Sequence, residues 1–573
     1  MTTSTQENRE EKTKESDALD VYPSLLRTLL ANRGIATREE AEHFLHPDYG
    51  KHLHDPFLMK DMGRAVDRIL VAMKNKEMIA IYSDFDCDGI PGGVVLHDFF
   101  KKVEYKKFTN YIPHRHEEGY GLNACAIDKL NEQGVSLIIT VDVGITDVDA
   151  VAHANELGIE VIITDHHLPG DELPEAYAIV NAKQADDTYP FDGLCGAGVA
   201  WKLVTALIQK GDKQFGGEYF AISEGWEKWL LDVVGIATVA DMVPLTGENR
   251  VLAHYGLMVL RKSPRPGLMK LFRKMWMKQH EITEDDIGFM IAPRINAASR
   301  MDRPDEAFHL LATRDEAEGG MYAEHLHKIN NERKGVVAAM VREIRKEIAE
   351  RDSLGEVIVM GNPKWKPSLL GLAANSLVDE HGKTVCLWGE EGGGVLKGSC
   401  RSNGEVSVVS LMKAATHSLI AFGGHHFSGG FSVTRECVHE LEAVLNTAYE
   451  QVETLEKEGS IQVDATLTPA DVSWSTYRLI NQLAPFGEGN PKPIFLFENV
   501  LIESVRRFGK TMNHLEVCLA DNGRVIPAIA FFRTEESFEV DIAPGKNVNV
   551  VAHIERSTFG RSPELRLRIV DIR

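Results

Sequence analysis

The stretch MIAIYSDFDCDGIPGG, residues 78–93, joins a continuous apolar run to three alternating aspartates and a glycine. The aspartates are Asp84, Asp86 and Asp88, and the pattern D-x-D-x-D-G also opens the calcium-binding loop of an EF-hand. An EF-hand needs a glutamate at the twelfth loop position and a helix before the loop, whereas this chain has Val95 and an apolar strand pattern there. The stretch is therefore either a solvated acidic turn or one part of a catalytic metal site.

Two further apolar runs end in residues that commonly bind metals. SLIITV, residues 136–141, is followed by Asp142, and EVIIT, residues 160–164, is followed by the Asp-His-His triplet 165–167. Such runs, alternating with amphipathic stretches, predict a buried parallel sheet built of βαβ units. Because ligands bind beyond the carboxyl ends of the strands in such sheets, the three strand ends are expected to converge on one site.

A fourth candidate, Asp241, follows the apolar segment DVVGIATVA, residues 232–240, which we interpret as another strand end. Each motif alone has an ordinary structural explanation, such as a solvated turn or a helix cap. Their coincidence at successive strand ends favours a metal site. Carboxylates and imidazoles without thiolates suit Mn²⁺ or Mg²⁺ better than Zn²⁺, and there are enough of them for two ions.

The composition limits the class of protein. A chain of 573 residues predicts about three to four domains. The net charge of −22 argues by itself against nucleic-acid binding, although divalent cations in a carboxylate site reverse the local sign. Seven scattered cysteines without a C-x-x-C pair indicate a reducing compartment. The sequence has no apolar run long enough to cross a bilayer and no signal-peptide core, so we expect a cytoplasmic protein.

The periodicity along the chain predicts six segments. They are a disordered polar tail (1–20), a helical segment (21–75), an α/β domain with a parallel sheet (76–312), a long helix (313–352), a second α/β domain (353–458) and a small β-barrel (459–573). The long helix either connects the two α/β domains or lies on the surface of the first. The sequence leaves both alternatives open.

Several motifs resemble those of known nucleases. SDFDCDG, VDVG, TDHH and VADMVPL are similar, in this order, to the motifs of the DHH phosphoesterase superfamily. Further stretches resemble the RecJ single-strand-specific exonucleases: YIPHRHEEGYGL (111–122), APRINAASRMDRP (292–304), KGSCRS (397–402), FGGHHFSGG (422–430) and LAPFGEGNPKPIF (483–495). The resemblance implies an α/β DHH domain, a DHHA1-type α/β domain joined to it by the long helix, and a C-terminal OB-fold.

The resemblance also implies an activity, namely 5′→3′ hydrolysis of single-stranded DNA in repair and recombination, with two Mn²⁺ or Mg²⁺ ions and a metal-activated water. The ligands implied for one ion are Asp88, Asp142, His166 and Asp241. Those implied for the other are Asp86 and Asp142, with Asp84 as a further candidate. His167 is expected to contact the scissile phosphate or to support the ligands.

Substrate-binding residues are implied in the same way. Three arginines are expected to bind phosphate, with structural ion pairs as the alternative: Arg115, Arg294 and Arg300. The residues expected to hold the 5′ end, or to form an anion-binding turn, are Ser399, Arg401, Ser402, Gly424 and His425. In the barrel, RRFGK (506–510) and ERSTFGR (555–561) combine cations with aromatic rings, a pattern typical of single-strand binding but also of solvated loops.

The family pattern leaves some points open. A helicase and a single-strand-binding protein are the partners that the resemblance implies. Two other functions fit the sequence: a DHH phosphodiesterase of oligoribonucleotides or small nucleotides, and a non-catalytic repair scaffold. The chain departs from the family pattern at Ser83, Pro91, Val143, Ser299 and Lys366, and none of these positions is an expected metal ligand.

Overall fold

The described part of the chain forms three β-sheets, of five, five and six strands. The computed structural model describes residues 19–215, 220, 222–390, 394–455, 461–521, 523–558 and 562–573. The predicted polar tail lies almost wholly outside the described residues. The three regions around the sheets are described in turn, because their contacts position the candidate site.

The first sheet is parallel, as predicted. Its strands are β1 (Met78–Ser83), β2 (Phe108–Tyr111), β3 (Val135–Val141), β4 (Glu160–Thr164) and β5 (Ala178–Val180). Their order is β2-β1-β3-β4-β5, so β2 is an edge strand. β1, β3 and β4 are buried almost throughout, which explains their continuous apolar sequences.

Twelve helices with bounds in the described part of the chain precede the long helix. They are α1 (Ser24–Ala31), α2 (Arg38–Leu45), α3 (Met62–Asn75), α4 (Gly89–Lys102), α5 (Ala124–Glu132), α6 (Val148–Glu156), α7 (Gly196–Phe215), α8 (Leu231–Ala240), α9 (Gly247–Leu260), α10 (Pro266–Lys274), α11 (Ala292–Met301) and α12 (Asp305–Ala312). A short helical turn (Glu284–Asp286) and a π-helical turn (Ile287–Ile291) lead into α11.

The interpretation of residues 232–240 as a strand is wrong. The segment belongs to α8, and Asp241 is its C-terminal cap residue. α8 packs against α4, α7 and α9, so nearly all its side chains are buried. A helix buried on all sides has a continuous apolar sequence, which cannot be distinguished by periodicity from a buried strand.

The long helix connects the two α/β regions. It is α13 (Glu316–Ala349), with 34 residues and therefore a length of about 50 Å. Near its start, Ala323 and Leu326 belong to the hydrophobic core of the first region, whereas Ile344 and Ile348 near its end belong to a core of the second. Of the two alternatives left open by the sequence, the connecting helix is the correct one.

The second sheet is mixed. Its strands are β6 (Val357–Gly361), β7 (Thr384–Glu390), β8 (Leu396–Arg401), β9 (Ala421–Gly424) and β10 (Ser428–Val433), in the order β6-β7-β8-β10-β9. α13 and α14 (Pro367–His381) cover one face. α15 (Val408–Ala414) and α16 (Leu441–Tyr449) cover the other.

The third sheet closes into a five-stranded barrel, consistent with the expected OB-fold. After β11 (Ala465–Thr466) and α17 (Trp474–Asn481), the barrel strands are β12 (Phe495–Phe508), β13 (His514–Asp521), β14 (Arg524–Ala530), β15 (Asn547–Ser557) and β16 (Glu564–Ile572). Pairing of β12 with β15 completes the closure. Among the described helices, none is both long and apolar enough to cross a membrane.

The N-terminal helices pack on the barrel rather than on the first sheet. Leu26 and Leu30 of α1 share a hydrophobic core with Phe495 and Val550 of the barrel. α3, in contrast, contributes to the core of the first sheet. The segment 21–75 therefore supplies two different cores, and the proposed division of the chain into six segments stays a prediction.

Candidate metal centre and substrate cleft

The loop after β1 contributes three aspartates. Asp84 follows the strand directly, and its Oδ1 atom is buried without a hydrogen-bond partner among the described residues. Asp86 Oδ1 accepts a hydrogen bond from the backbone amide of Asp88 (2.8 Å). The Asp88 carboxylate accepts from the amides of Gly196 (2.6 Å) and Ala197 (2.7 Å) at the start of α7. A helix N-terminus favours negative charge, so α7 fixes this carboxylate.

Asp142, at the end of β3, has an unusual backbone. Its φ angle of 63° is left-handed, and its amide donates to the carbonyl of Thr164 (2.9 Å). Gly196 lies so close that a Cβ there would be 2.5 Å from the Asp142 Cβ, so any other residue would displace one of the two segments. Asp142 Oδ1 is buried and, like Asp84 Oδ1, makes no hydrogen bond to the described residues.

The Asp-His-His triplet follows β4, and its aspartate orients the two histidines. Asp165 Oδ1 accepts from the amides of His166 (2.7 Å) and His167 (3.1 Å) and from His167 Nδ1 (2.8 Å). Its Oδ2 accepts from the amide of Ile145 (3.0 Å). Because both of its oxygens accept hydrogen bonds from neighbouring residues, Asp165 acts as a positioning residue. The backbone bends at this triplet, so the adjacent side chains of His166 and His167 face the same site.

His166 lies at the centre of the cluster. Its Nε2 atom is 3.1 Å from Asp142 Oδ1, 3.6 Å from Asp88 Oδ2 and 3.7 Å from Asp241 Oδ2. Burial, reinforced by the neighbouring His167, lowers the pKa of His166 to about 3. The imidazole is therefore neutral, which is the form that binds metal ions.

Burial and mutual repulsion raise the pKa values of the clustered carboxyls. Burial, reinforced by Asp86, raises the pKa of Asp88 to about 6, and burial, reinforced by Asp88, raises the pKa of Asp241 to about 9. The pKa values of Asp84 and Asp142 are raised for the same reasons. Buried carboxylates at such short range are unfavourable unless cations compensate their charge.

The residues fit divalent cations with oxygen and nitrogen ligands. At this site, three sets of residues have ligand atoms within 4.8 Å of one another: Asp88, His166 and Asp241; Asp84, Asp86 and Asp142; and Asp142, His166 and His167. Asp142 is shared by two sets. Asp142 Oδ1, which has only His166 Nε2 within 3.1 Å, and Asp84 Oδ1 are the buried acceptors that a cation would satisfy.

A group of cations lies beside the carboxylates, where the first and second α/β regions meet. Burial, followed by repulsion from Arg115 and Arg333, lowers the pKa of Arg300 to about 10, and Arg401 contributes in the same direction. Asp86 acts in the opposite direction, which places Arg300 within electrostatic range of the carboxylate cluster. The Arg300 side chain donates to the carbonyl of Ser368 (2.7 Å) on α14, so it also links the two regions.

Four arginines of this area have neutral rather than acidic hydrogen-bond partners among the described residues, namely Arg294, Arg300, Arg333 and Arg401. Arg294 donates to the carbonyl of Met290 (2.6 Å), Arg333 to Asn330 Oδ1 (3.0 Å) and Arg401 to Ser399 Oγ (2.9 Å). Within the described chain, neither these three nor Arg300 forms an ion pair. The alternative of structural ion pairs therefore finds no support for Arg294 and Arg300, and their charges remain available to an anionic ligand.

The predicted 5′-end residues lie in the second region but differ in availability. Ser399 and Arg401 lie together on β8. The Ser402 hydroxyl donates to the carbonyl of Val406 (2.6 Å) and accepts from the amide of Gly404 (3.0 Å), so it stabilises a turn.

The predicted anion-binding turn is the connection between β9 and β10. Gly424 has a φ of 148°, and a Cβ there would be 2.4 Å from the carbonyl oxygen of Ser428. The amide of His425 donates to that same carbonyl (2.8 Å), so it is used within the hairpin. The imidazole of His425 is exposed and can reach a ligand, as can that of the neighbouring His426.

The basic stretch of the barrel is neutralised. Arg506 forms an ion pair with Glu516 (2.8 Å), and Arg507 pairs with Glu535 (2.6 Å) and Glu536 (3.0 Å). The local positive charge predicted for residues 506–510 is therefore largely compensated. Of the second stretch, residues 559–561 lie outside the described part of the chain.

Sequence reasoning missed two residues of the site. Asp165 lies in the quoted triplet, but the role of its two oxygens depends on a bend that the sequence only suggests. Arg333 lies in the charged segment NNERKG of α13, where nothing distinguishes it from neighbouring surface residues. The departures at Val143 and Ser299 are buried and leave the metal-binding sets intact.

Comparison with known proteins identifies relatives over most of the chain. It is 36% identical over 560 residues to the single-stranded-DNA-specific exonuclease RecJ of Bacillus subtilis, covering 97% of this chain and 68% of that protein. It is 31% identical over 520 residues to RecJ of Haemophilus influenzae, covering 88% and 89%. A crystal structure of RecJ from Thermus thermophilus in complex with Mn²⁺ has a TM-score of 0.79 at 25% identity and covers 97% of this chain and 76% of that one.

Three family profiles match successive parts of the chain. They are the DHH family N-terminal domain (78–237), the DHHA1 domain (354–454) and the RecJ OB domain (463–571). Together with the carboxylate and imidazole cluster, they define a DHH phosphoesterase with an appended barrel. The sequence relatives narrow the assignment further. The chain belongs to the RecJ family of single-stranded-DNA-specific exonucleases.

Proposed function

We propose that this chain degrades single-stranded DNA in the 5′→3′ direction by metal-dependent hydrolysis of phosphodiester bonds, in DNA repair and recombination. The observation that carries the proposal is the juxtaposition of two groups of residues. Carboxylates and imidazoles from four segments meet at one edge of the first sheet. Arg300, Arg333 and Arg401, which have no acidic partner in the described part of the chain, adjoin them. A phosphodiester between these groups would have cations on both sides once metal is bound.

The ligand sets fit two Mn²⁺ or Mg²⁺ ions, and solved structures of RecJ from Thermus thermophilus contain these metals. Asp88, Asp142, His166 and Asp241 would hold one ion. Asp84, Asp86 and Asp142 would hold the other. When bound, such a pair activates water and compensates the charge that develops on the phosphate oxygens.

The residues of the chain itself orient the reacting groups. α7 holds the Asp88 carboxylate through two amides, and the close contact with Gly196 fixes Asp142. Asp165 accepts a hydrogen bond from His167 Nδ1 and so directs the opposite ring nitrogen towards the cleft. Burial lowers the pKa of His167, but the hydrogen bond and charge of Asp165 outweigh it and raise the pKa, and the protonated ring can donate to a phosphate oxygen. No side-chain nucleophile is needed, because the attacking group is water.

The polarity of degradation follows from the placement of the 5′ end. Ser399 and Arg401 would bind the 5′-terminal group on the second region, and Arg115, Arg294 and Arg300 would bind backbone phosphates near the carboxylates. The Arg300 link to α14 keeps these two binding areas at a fixed separation. The terminal nucleotide is thereby presented to the site in one orientation.

The cellular setting is part of the same proposal. A single-strand exonuclease needs unwound DNA, so a helicase and a single-strand-binding protein are suitable partners, and the cytoplasm is the compartment where they would meet. A pull-down of either protein from a bacterial extract would test this part alone. Absence of both from the captured proteins would remove it without affecting the proposed chemistry.

The activity itself is tested with oligonucleotides labelled at either end. We expect Mn²⁺-dependent release of nucleotides from the 5′ end of single strands, arrest by EDTA, and resistance of blunt duplexes. Asp142→Asn should reduce the rate by about three orders of magnitude, because it removes the ligand shared by two sets. The matched control is Asp128→Asn on α5, an exposed aspartate paired with His153.

Two results would contradict the proposal. If a bulky group at the 3′ end stops degradation while one at the 5′ end does not, the assigned polarity is wrong. If Asp142→Asn and Asp128→Asn are equally active, the carboxylate cluster is not the catalytic site.

A further inference from the structure

A cavity of about 570 Å³ lies at the lateral edge of the first sheet that is formed by β2. It is formed by the end of α4, the edge strand β2 and α12. Phe108 and Phe308 provide apolar walls, and both rings contact the imidazole of His97 at 5.3 Å between centroids. The volume is in the range of ordinary ligand sites. The proposed nuclease function gives this cavity no role.

The cavity lies along the open edge of β2 rather than on one face of the sheet. Phe108 and Asn110 are on one face of the strand and Thr109 is on the other, yet all three line the cavity. Within the described chain, β2 pairs only with β1, so its outer side has no neighbouring strand. An unpaired strand edge presents backbone donors and acceptors that can bind another extended chain.

The rim of the cavity is positively charged. Lys101 and Lys106 line the cavity, and Lys102 and Lys107 are their neighbours in the chain. All four are exposed, and in the described residues none of them forms an ion pair. The cavity also contains Glu104 and Asp305, and Asp305 is neutralised by Arg303 at 2.9 Å. Four lysines without acidic partners are unexpected in a chain whose net charge is −22. They indicate an anionic ligand.

We propose that this edge binds an extended acidic peptide segment of a partner protein, which adds to β2 as a further strand. Backbone hydrogen bonds to β2 would provide affinity. An apolar side chain of the peptide would enter the cavity beside Phe108 and Phe308, and its acidic side chains would meet the lysines. A strand edge matches the donor and acceptor spacing of a peptide and not that of a nucleic acid, which favours a protein partner.

The peptide site would not compete with the substrate. α4 begins next to Asp88 and reaches the cavity at His97 and Lys101, so about 14 to 20 Å of helix lies between the two sites. The partner would therefore be bound while DNA is being degraded. The surface therefore suits a partner protein that keeps the exonuclease close to its DNA substrate.

Fluorescence anisotropy tests the proposal with the full chain and a labelled peptide of sequence EVDVEFDVE. We expect saturable binding, weakened at least tenfold by the double variant Lys101→Glu/Lys106→Glu and by replacement of the peptide valines with proline. Hydrogen exchange of the amides of residues 106–111 should slow when the peptide is added. The matched control is Lys346→Glu/Lys413→Glu, which changes two exposed lysines elsewhere and should alter the dissociation constant less than twofold.

Nuclease activity of the Lys101→Glu/Lys106→Glu variant serves as the test of folding and should equal that of the unchanged chain. No saturable binding up to about 1 mM peptide would overturn the proposal. If the proline-containing peptide binds as tightly as the original peptide, the peptide does not add to β2 as a strand. Displacement of the peptide by a ten-nucleotide oligothymidylate in EDTA would identify the lysines as a nucleic-acid surface instead.

Discussion

Gly196 touches Asp142 so closely that the addition of one methyl group would bring two Cβ atoms to 2.5 Å. The two residues come from different elements, α7 and the end of β3, and each contributes to the geometry of the carboxylate cluster. Gly196 donates its amide to Asp88, and Asp142 is shared by two sets of ligands. The contact therefore couples the positions of two carboxylates.

Gly196→Ala is expected to lower the exonuclease rate by about 100-fold or more, because the methyl group must displace Asp142 or the start of α7. Gly198→Ala is the matched control, since a Cβ there would meet Leu194 at an ordinary 3.5 Å. Steady-state rates on a single-stranded oligonucleotide and circular dichroism of both variants are the measurements. Equal activity of the two variants would show that the Gly196 contact does not control the site.

Asp165→Asn should lower the affinity for metal and the exonuclease rate by about 10- to 100-fold. The reason is that a neutral amide holds the His167 ring less firmly than the charged carboxylate that accepts its hydrogen bond. Titration of Mn²⁺ by calorimetry measures the affinity independently of turnover. Asp147→Asn is a useful comparison, since Asp147 accepts from the amide of Leu122 (2.7 Å) close to the same loops without contacting either histidine. A larger loss in Asp147→Asn would mean that loop packing, not histidine orientation, is what matters.

Arg401→Gln is expected to raise KM for single strands about tenfold and to reduce the dependence of binding on salt by about one counterion. The reason is that Arg401 is charged, partly buried and hydrogen-bonded to the neutral Ser399. Arg506→Gln should change neither quantity, since Glu516 already neutralises that arginine. Binding isotherms in EDTA at several salt concentrations give both values. If Arg506→Gln had the larger effect on KM and on salt dependence, the main DNA-binding surface would lie on the barrel.

Arg250→Met should destabilise the chain by about 3 kcal/mol. The buried guanidinium donates to the carbonyls of Phe44 (2.6 Å), Leu483 (3.0 Å) and Ala484 (3.2 Å), so one residue of α9 connects the N-terminal segment with the barrel. Arg261→Met, which removes a single hydrogen bond to Ile282, is the control. Urea unfolding followed by tryptophan fluorescence compares them, and equal midpoints would contradict the connecting role.

The stability of the first region should decrease below neutral pH because of His97. Burial lowers the pKa of this imidazole to about 4, against about 6.5 in an unfolded chain. Between these values the unfolded chain binds more protons, so the free energy of unfolding falls as the pH falls through this range. At pH 5 the loss is about 2 kcal/mol. His97→Gln should remove this part of the pH dependence. If the free energy of unfolding of the variant and of the unchanged chain falls in parallel between pH 7 and pH 4, His97 is not the cause.

The chemistry at the strand ends could be predicted because it depends on local sequence. A parallel sheet brings its carboxyl ends together, so Asp84, Asp142 and His166 converge whatever the details of packing. Asp241 joins the same cluster, although the strand predicted before it is a helix. A cap residue of a fully buried helix and the end of a buried strand have the same apolar sequence before them.

The features that the sequence did not predict depend on contacts between distant segments. Arg506 and Arg507 indicate a basic surface by sequence, but glutamates on the adjoining strand and loop neutralise them. Arg333 joins the cation group only because α13 extends past the carboxylates towards the second region. No periodicity or motif in the sequence signals either feature, because both depend on tertiary packing.

The packing of α1 on the barrel also has a consequence for synthesis of the chain. Leu26 and Leu30 leave the ribosome early, yet the strands that bury them begin at Phe495. At ordinary translation rates the delay is on the order of half a minute. During that time the leucines of α1 have no partner, so the nascent chain depends on a chaperone or on transient contacts for its solubility. Completion of the last strands, rather than emergence of the first helices, then determines when the N-terminus folds.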